Sequence, residues 1–120
     1  MVSNLLELHM MHGRQALEQV RSAYADSVDY FGKITTLDEV MQDKRRYFDR
    51  WPSRDYRLQN DTIFTDCSGK QVCTISGYFD WSVQSEERGK KAAGTASFEY
   101  AISSRPPHQV VKEISKVVNR

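Results

Sequence analysis

The chain has little of what small proteins use in place of a core. Its only two cysteines, Cys67 and Cys73, are not joined by a second pair, and a zinc site needs about four ligands. His9, His12 and His108 lie elsewhere, so no metal is expected, and no motif asks for a cofactor. Three prolines and six glycines in 120 residues leave no linker, internal repeat or low-complexity stretch. No apolar run approaches the roughly 18 residues that a spanning helix requires, so no membrane segment is expected. An excess of charge of one sign is missing too: 17 Lys and Arg against 16 Asp and Glu give +1. That balance argues against a surface cationic throughout for nucleic acid or membrane. Met1 to Leu8 carries no positive charge ahead of its short apolar stretch, and no small-residue cleavage site follows, so it does not read as a secretory signal. The compartment stays open: cytoplasmic for a complete chain, exported for an excised domain with oxidised cysteines.

What is present suffices for one folded unit over residues 1–120. The apolar fraction is 39%, with six Tyr, five Phe and two Trp, too much for a disordered chain. A chain of this length buries roughly two-thirds of its unfolded surface. Asn4 to Ala25 reads as helix, with Asn4 and Glu7 as a capping box and Leu5, Leu8, His12, Ala16, Val20 and Tyr24 on one face. Gly13 interrupts it, which predicts a kink or two short helices, with residues 1–13 a loosely attached first piece. Val28 to Gly32 switches to strand chemistry. Thr36 then opens a helix with Glu39 in capping-box position; Leu37, Val40, Met41, Lys44, Tyr47, Phe48 and Trp51 follow at helical spacing until Pro52 stops it.

From Tyr56 onward the period shortens to two. Leu58, Ile63 and Phe64 fall in a strand ending near Asp66, and Ser68-Gly69-Lys70 makes a turn. In Val72 to Val83, residues Cys73, Ile75, Gly77, Phe79, Trp81 and Val83 share one face. Glu86 to Lys91 is a charged loop, Gly94 to Ile102 a strand aligning Phe98, Tyr100 and Ile102, and Arg105-Pro106-Pro107 a turn. From His108 onward the spacing fits a helix, whereas the valine density favours a strand. Helices first and an antiparallel meander after them make an α+β architecture with helices on one concave face.

Tyr24-Ala25-Asp26-Ser27-Val28-Asp29-Tyr30-Phe31-Gly32, the segment from Asp43-Lys44 to Arg50-Trp51-Pro52, and the three long strands resemble the nuclear-transport-factor-2-like superfamily, which includes SnoaL-like and ketosteroid-isomerase-like proteins. The resemblance is to a bacterial subgroup in which Tyr-Ala-x-x-Val-Asp-Tyr-x-Gly precedes a helix ending Arg-Trp-Pro. It covers about residues 14 to 120. It implies a cone-shaped, cystatin-like curved antiparallel sheet of about 4–6 strands wrapped around N-terminal helices, with the tail as last strand. It further implies an apolar pocket between sheet and helices and a homodimer formed through the open sheet face. The scaffold hosts enzymes and non-enzymatic binding modules alike, so fold does not give function.

Asp29 is the catalytic candidate, because Asp29-Tyr30-Phe31-Gly32 is similar to the stretch carrying the proton-shuttling carboxylate in ketosteroid-isomerase-like enzymes. Burial in an apolar pocket would raise such a base toward neutrality, and Tyr24 and Tyr30 are its candidate partners. His9 and His12, with Tyr24 and Asp29, make an alternative hydratase-like set. An isomerase of this type also needs a tyrosine oxyanion donor on the first helix, where this chain has Leu5, Leu8, His9 and His12. That weighs toward a non-catalytic binding domain taking a small apolar ligand. Its pocket residues are Tyr24, Phe48, Trp51, Phe79, Trp81, Phe98 and Tyr100.

Between Asp43 and Arg57, six basic residues oppose three acidic ones, which puts this segment at +3 and the remainder at −2. Arg45, Arg46, Arg50, Arg54 and Arg57 are the polar contact candidates. They interleave with Tyr47, Phe48, Trp51 and Tyr56 as on a single-strand nucleic-acid surface, although a solvated, salt-bridged face fits the same pattern better. Cys67 and Cys73 either close a short disulfide loop or stay two small buried thiols in a reducing compartment.

Overall fold

The computed structural model describes Leu6, His9, Met10 and residues 14–68 and 71–119, without the side chains of residues 14–16. Helix α1 (Arg14–Ser22) leads into strands β1 (Tyr24–Tyr30) and β2 (Lys33–Thr36), and helix α2 (Leu37–Arg50) follows. Then come β3 (Ser53–Leu58), a 3-10 turn at Asn60–Thr62, β4 (Phe64–Asp66) and the long strands β5 (Val72–Ser85), β6 (Lys90–Ser103) and β7 (Val110–Asn119). The sheet order is β2-β1-β7-β6-β5-β3, with β4 added to β5, and among the described residues only the β1–β7 pairing is parallel. This is the α+β arrangement expected, with seven strands among the described residues in place of about four to six.

Helix α2 is built as its sequence prescribes. The Thr36 side chain accepts from the Glu39 backbone N–H at 3.2 Å, satisfying one of the donors a helix start leaves open. Val40, Met41, Lys44 and Phe48 form its buried stripe. At the far end the Trp51 N–H donates to the Tyr47 carbonyl at 2.9 Å before Pro52 ends the helix. The residues ahead of α1 that are described, Leu6, His9 and Met10, have helical backbone. The predicted cap at Asn4 and Glu7, the face positions Leu5, Leu8, His12 and the Ala16 side chain, the break at Gly13 and the turn residues Gly69 and Lys70 lie outside the described residues.

Strand β2 has no counterpart in the sequence reading, and several boundaries differ from it. The first helix ends at Ser22, and Tyr24 belongs to a strand. The cause is long-range: the Val110 N–H donates to the Ala23 carbonyl at 2.8 Å, so β7 captures the chain there. The strand read from Tyr56 to Asp66 is two strands, since Asn60 and Asp61, which favour turns, form a 3-10 turn between β3 and β4. That turn rests on Gly77 of β5, where a Cβ would come within 2.8 Å of Ile63. Strand β6 starts at Lys90, four residues before Gly94, because β5 and β6 pair through to Ser85 and Lys90. The ambiguous tail is strand β7, lying between β1 and β6 in the middle of the sheet.

The concave face of the sheet holds Ile75, Phe79, Val83, Ala96, Phe98, Tyr100 and Ile102 against α1 and α2, which contribute Val20, Val40, Met41 and Phe48. Each fully buried large aliphatic or aromatic side chain contributes roughly 1.5–3 kcal/mol by leaving water. Cys67 and Cys73 are joined by a disulfide that ties the end of β4 to the start of β5.

Candidate functional site

Between α2 and the concave sheet face lies a cavity of about 710 Å³. Its aromatic walls are Phe48 and Trp51 of α2 and its end, Tyr56 of β3, Phe79 and Trp81 of β5 and Tyr100 of β6. The register explains how they meet. Tyr56 pairs with Trp81 across β3 and β5, and cross-strand partners share a face. Five of the seven residues expected in a pocket, Phe48, Trp51, Phe79, Trp81 and Tyr100, line this cavity. The other two are core. Phe98 is packed between Phe79 and Tyr100, with ring centres 5.9 and 5.7 Å away, and Tyr24 is 1% exposed behind the cavity wall. Trp81 Nε1 is buried and has no hydrogen-bond partner among the described residues, an unspent donor on this wall.

One side of the cavity carries a polar cluster that the apolar pattern alone does not announce. Lys44, on the inner stripe of α2, is 5% exposed, and Glu113 of β7 is 6% exposed. Lys44 Nζ donates to Glu113 Oε2 at 3.0 Å and to His9 Nε2 at 2.9 Å. Tyr24 Oη donates to Glu113 Oε1 and lies 3.5 Å from the same His9 nitrogen. The Lys44 ammonium is also 5.2 Å from the centre of the Tyr24 ring and 5.7 Å from that of Tyr30. Tyr30 Oη donates to Asp43 Oδ2 at 2.5 Å.

The electrostatics follow from this packing. Burial pushes the Glu113 carboxyl up, but the charges of Lys44 and His9 and the hydrogen bonds from Tyr24 and Lys44 outweigh it and hold Glu113 below its ordinary value. Tyr24 is driven well above the ordinary phenol range, by burial first and then by the Glu113 charge. Burial likewise raises Tyr30, Tyr56 and Tyr100. The cluster is therefore an ion pair between carboxylate and ammonium, flanked by a neutral phenol.

The carboxylates lining the cavity are Glu113 and Asp43, and Asp29 is not among the lining residues. Strand parity is the reason: Val28 is in the core and Tyr30 lines the cavity, so Asp29 between them points to the outer face. There it pairs in register with Ile34 and Lys112, and Lys112 reaches Glu99 at 2.6 Å. Asp29 Oδ1 has no hydrogen-bond partner among the described residues. Of the hydratase-like set, His9 and Tyr24 do meet, and His12 lies outside the described residues.

The arginines are divided among three environments. Arg54 points inward, 6% exposed; its Nε donates to the His9 carbonyl at 2.6 Å, and its guanidinium lies 3.7 Å from the centre of the Phe48 ring. Arg46 and Arg50 line the cavity mouth. Arg45 and Arg57 are exposed, with Arg57 3.2 Å from Asp55. Arg46 lies 3.6 Å from Asp43, one helical turn before it. Phe48, Trp51 and Tyr56, which interleave with the arginines in sequence, line the cavity. Among the described residues no group of three or more His, Cys, Asp or Glu side chains is arranged to hold a metal ion, and no helix is long and apolar enough to cross a membrane.

No family model and no curated protein matches the sequence. Solved structures match the fold. A nuclear-transport-factor-2-like protein of unknown function from Exiguobacterium sp. 255-15 superimposes with a TM-score of 0.69 at 12% identity, over 97% of this chain and 96% of that one. Aln2 from a Streptomyces species gives 0.73 at 11% identity, over 97% and 87%. A protein from Catenulispora acidiphila in complex with S-DNPA gives 0.69 at 9% identity, over 97% and 90%. The fold is that of the nuclear-transport-factor-2-like proteins. At these identities the likeness concerns fold alone.

Proposed function

We propose that the protein is a small-molecule binding domain whose cavity takes a compact, mainly aromatic ligand. The observation that carries this reading is the cavity, about 710 Å³, with aromatic walls on a rigid helix and sheet. Small-molecule sites commonly enclose about 300–1,000 Å³ with apolar walls and a few polar groups. The polar cluster favours binding over catalysis. Lys44, Glu113, Tyr24 and His9 are engaged with one another, whereas a general base must be free to take a substrate proton. An isomerase or hydratase built on Asp29 would need that carboxylate to act from the outer face of the sheet. The similar fold in complex with S-DNPA supports a small-molecule role.

The test is a titration of the protein with a neutral aromatic probe, naphthalene-2-carboxamide, followed through the emission of Trp51 and Trp81. The expected outcome is saturable binding that is lost in Ala92→Phe, a substitution that fills the cavity from its wall. Binding that survives Ala92→Phe would locate the ligand elsewhere and overturn the reading.

A homodimer formed through the outer sheet face completes the proposal. Tyr78, Ile114 and Val118 are exposed there at 42%, 38% and 52%, more apolar surface than a sheet facing only water needs. Sedimentation at high micromolar concentration checks it, and a strict monomer removes the dimer from the proposal.

A further inference from the structure

The mouth of the cavity carries charge that its own pairings leave unbalanced. Three cations and two carboxylates are among the lining residues. Lys44 is bound to Glu113 at 3.0 Å, and Arg46 lies 3.6 Å from Asp43. Arg50 alone of the three has no carboxylate within ion-pair distance among the described residues. Its guanidinium lies 5.9 Å from the centre of the Trp51 indole. A second guanidinium, that of Arg88 from the β5–β6 loop, lies 4.7 Å from the same ring. Arg88 is fixed there because its Nη2 donates to the Arg50 backbone carbonyl at 2.7 Å. Capping the C-terminal end of α2 accounts for that one donor of Arg88. It accounts for none of the donors of Arg50.

Two guanidinium groups around one indole are a local excess of positive charge at the mouth, which an anion there would balance. The chemistry selects the kind of anion. A guanidinium presents parallel N–H donors that match the two oxygens of a carboxylate. Trp51 is at once the ring these cations rest on and part of the cavity wall, so a group bound to Arg50 is joined directly to the aromatic interior. Inside, Lys44 is already spent on Glu113 and His9, which leaves the mouth as the place for the charge and the interior for the ring.

We propose that the ligand of this cavity is an aromatic monocarboxylate, its ring between Trp51 and Trp81 and its carboxylate held by Arg50 with Arg46 beside it. One unbalanced guanidinium among the lining residues fits one negative charge. Arg88 is a positioning residue that holds the Trp51 ring and the end of α2. This inference rests on the small-molecule reading above and names its ligand class.

The experiment compares naphthalene-2-carboxylate with naphthalene-2-carboxamide, which differ in charge and hardly in shape, by calorimetry and by Trp emission on the whole chain. The carboxylate is expected to bind about tenfold or more tightly than the amide, the range of a charge-assisted pair of hydrogen bonds. Added salt should narrow the gap, because the site is at the surface. Arg50→Gln should bring the two probes to parity, Arg50→Lys should keep part of the preference, and Arg88→Gln should reduce it less than Arg50→Gln does. Circular dichroism checks that each variant is folded. Equal affinity of the two probes for the unsubstituted protein overturns the inference and leaves the small-molecule reading standing. So does a preference that persists in Arg50→Gln. Failure of both probes to saturate overturns the small-molecule reading and this inference with it.

Discussion

Lys44 Nζ and Glu113 Oε2 stand 3.0 Å apart, joining α2 to the strand in the middle of the sheet across 69 residues of sequence. Both side chains are almost wholly buried, and the Lys44 charge is the largest influence lowering the Glu113 carboxyl. Glu113→Ala strands an ammonium in the interior and is expected to cost about 3–5 kcal/mol. The double substitution Lys44→Met, Glu113→Leu should cost less than the two single changes added together, since it removes both charges at once. Urea unfolding of the four proteins measures this coupling.

The acid limb of stability should report the same carboxylate. Glu113 is held below its ordinary value of 4.5, so its contribution is present above that value and is lost as pH falls through the lowered one. Unfolding free energy is expected to be level down to about pH 5 and to fall below it. Asp66 and Asp80 are lowered too, by hydrogen bonds from Ser68 and from Thr95 and Gln59, and act in the same window. Glu113→Gln should therefore flatten part of the slope and leave the remainder. Urea midpoints across the acid range decide it.

On the alkaline side the sign reverses. Tyr24, Tyr30, Tyr56 and Tyr100 are all raised above 10.0, chiefly by burial, so their share of stability is present below that value and is lost as pH rises beyond it. Phenolate absorbance of these four should appear only together with loss of tertiary structure. Ionisation ahead of unfolding would contradict their burial.

Gly77 is required by contact. A Cβ there would meet Ile63 Cδ1 at 2.8 Å and the Thr62 hydroxyl and carbonyl oxygens at 3.2 and 3.3 Å. Gly77→Ala should cost roughly 1–3 kcal/mol through overpacking of the 3-10 turn on β5. Thermal unfolding checks it.

Reduction of the Cys67–Cys73 disulfide should have a smaller effect than disruption of the ion pair. The sequence separation is only 6, and closing so short a loop stabilises by about 2 kcal/mol. The double variant Cys67→Ser, Cys73→Ser should match the reduced protein in urea, with the fold and the cavity preserved.

Helix α2 was legible because its signals are local: Thr36 at the cap, the apolar spacing and Pro52 at the end all lie within one stretch. The aromatic walls were legible for a similar reason, since alternation along β5 and β6 puts Phe79, Trp81 and Tyr100 on one face. The Lys44–Glu113 pair was not, because nothing local links α2 to β7. Its one signal was a lysine on an otherwise apolar helical stripe, which calls for a buried counter-charge without saying where it is. Asp29 misled for the opposite reason. Its neighbours suit a catalytic motif, while its face of the sheet is set by the parity of β1 and by pairing with β2 and β7. The end of α1 was missed because the β7 pairing that ends it comes from the far side of the sequence.

Strand β7 follows every other element in the chain yet lies between β1 and β6. Among the described residues it is the strand that joins the β2–β1 pair to the β6–β5 pair. Pairings over such separations are slow to form, because the loop must close before any contact rewards it. The strand that joins the two pairs also brings Glu113, so the cavity acquires its buried charge in the same event that completes the sheet. A chain stalled one strand short would have aromatic walls but no charged partner for Lys44.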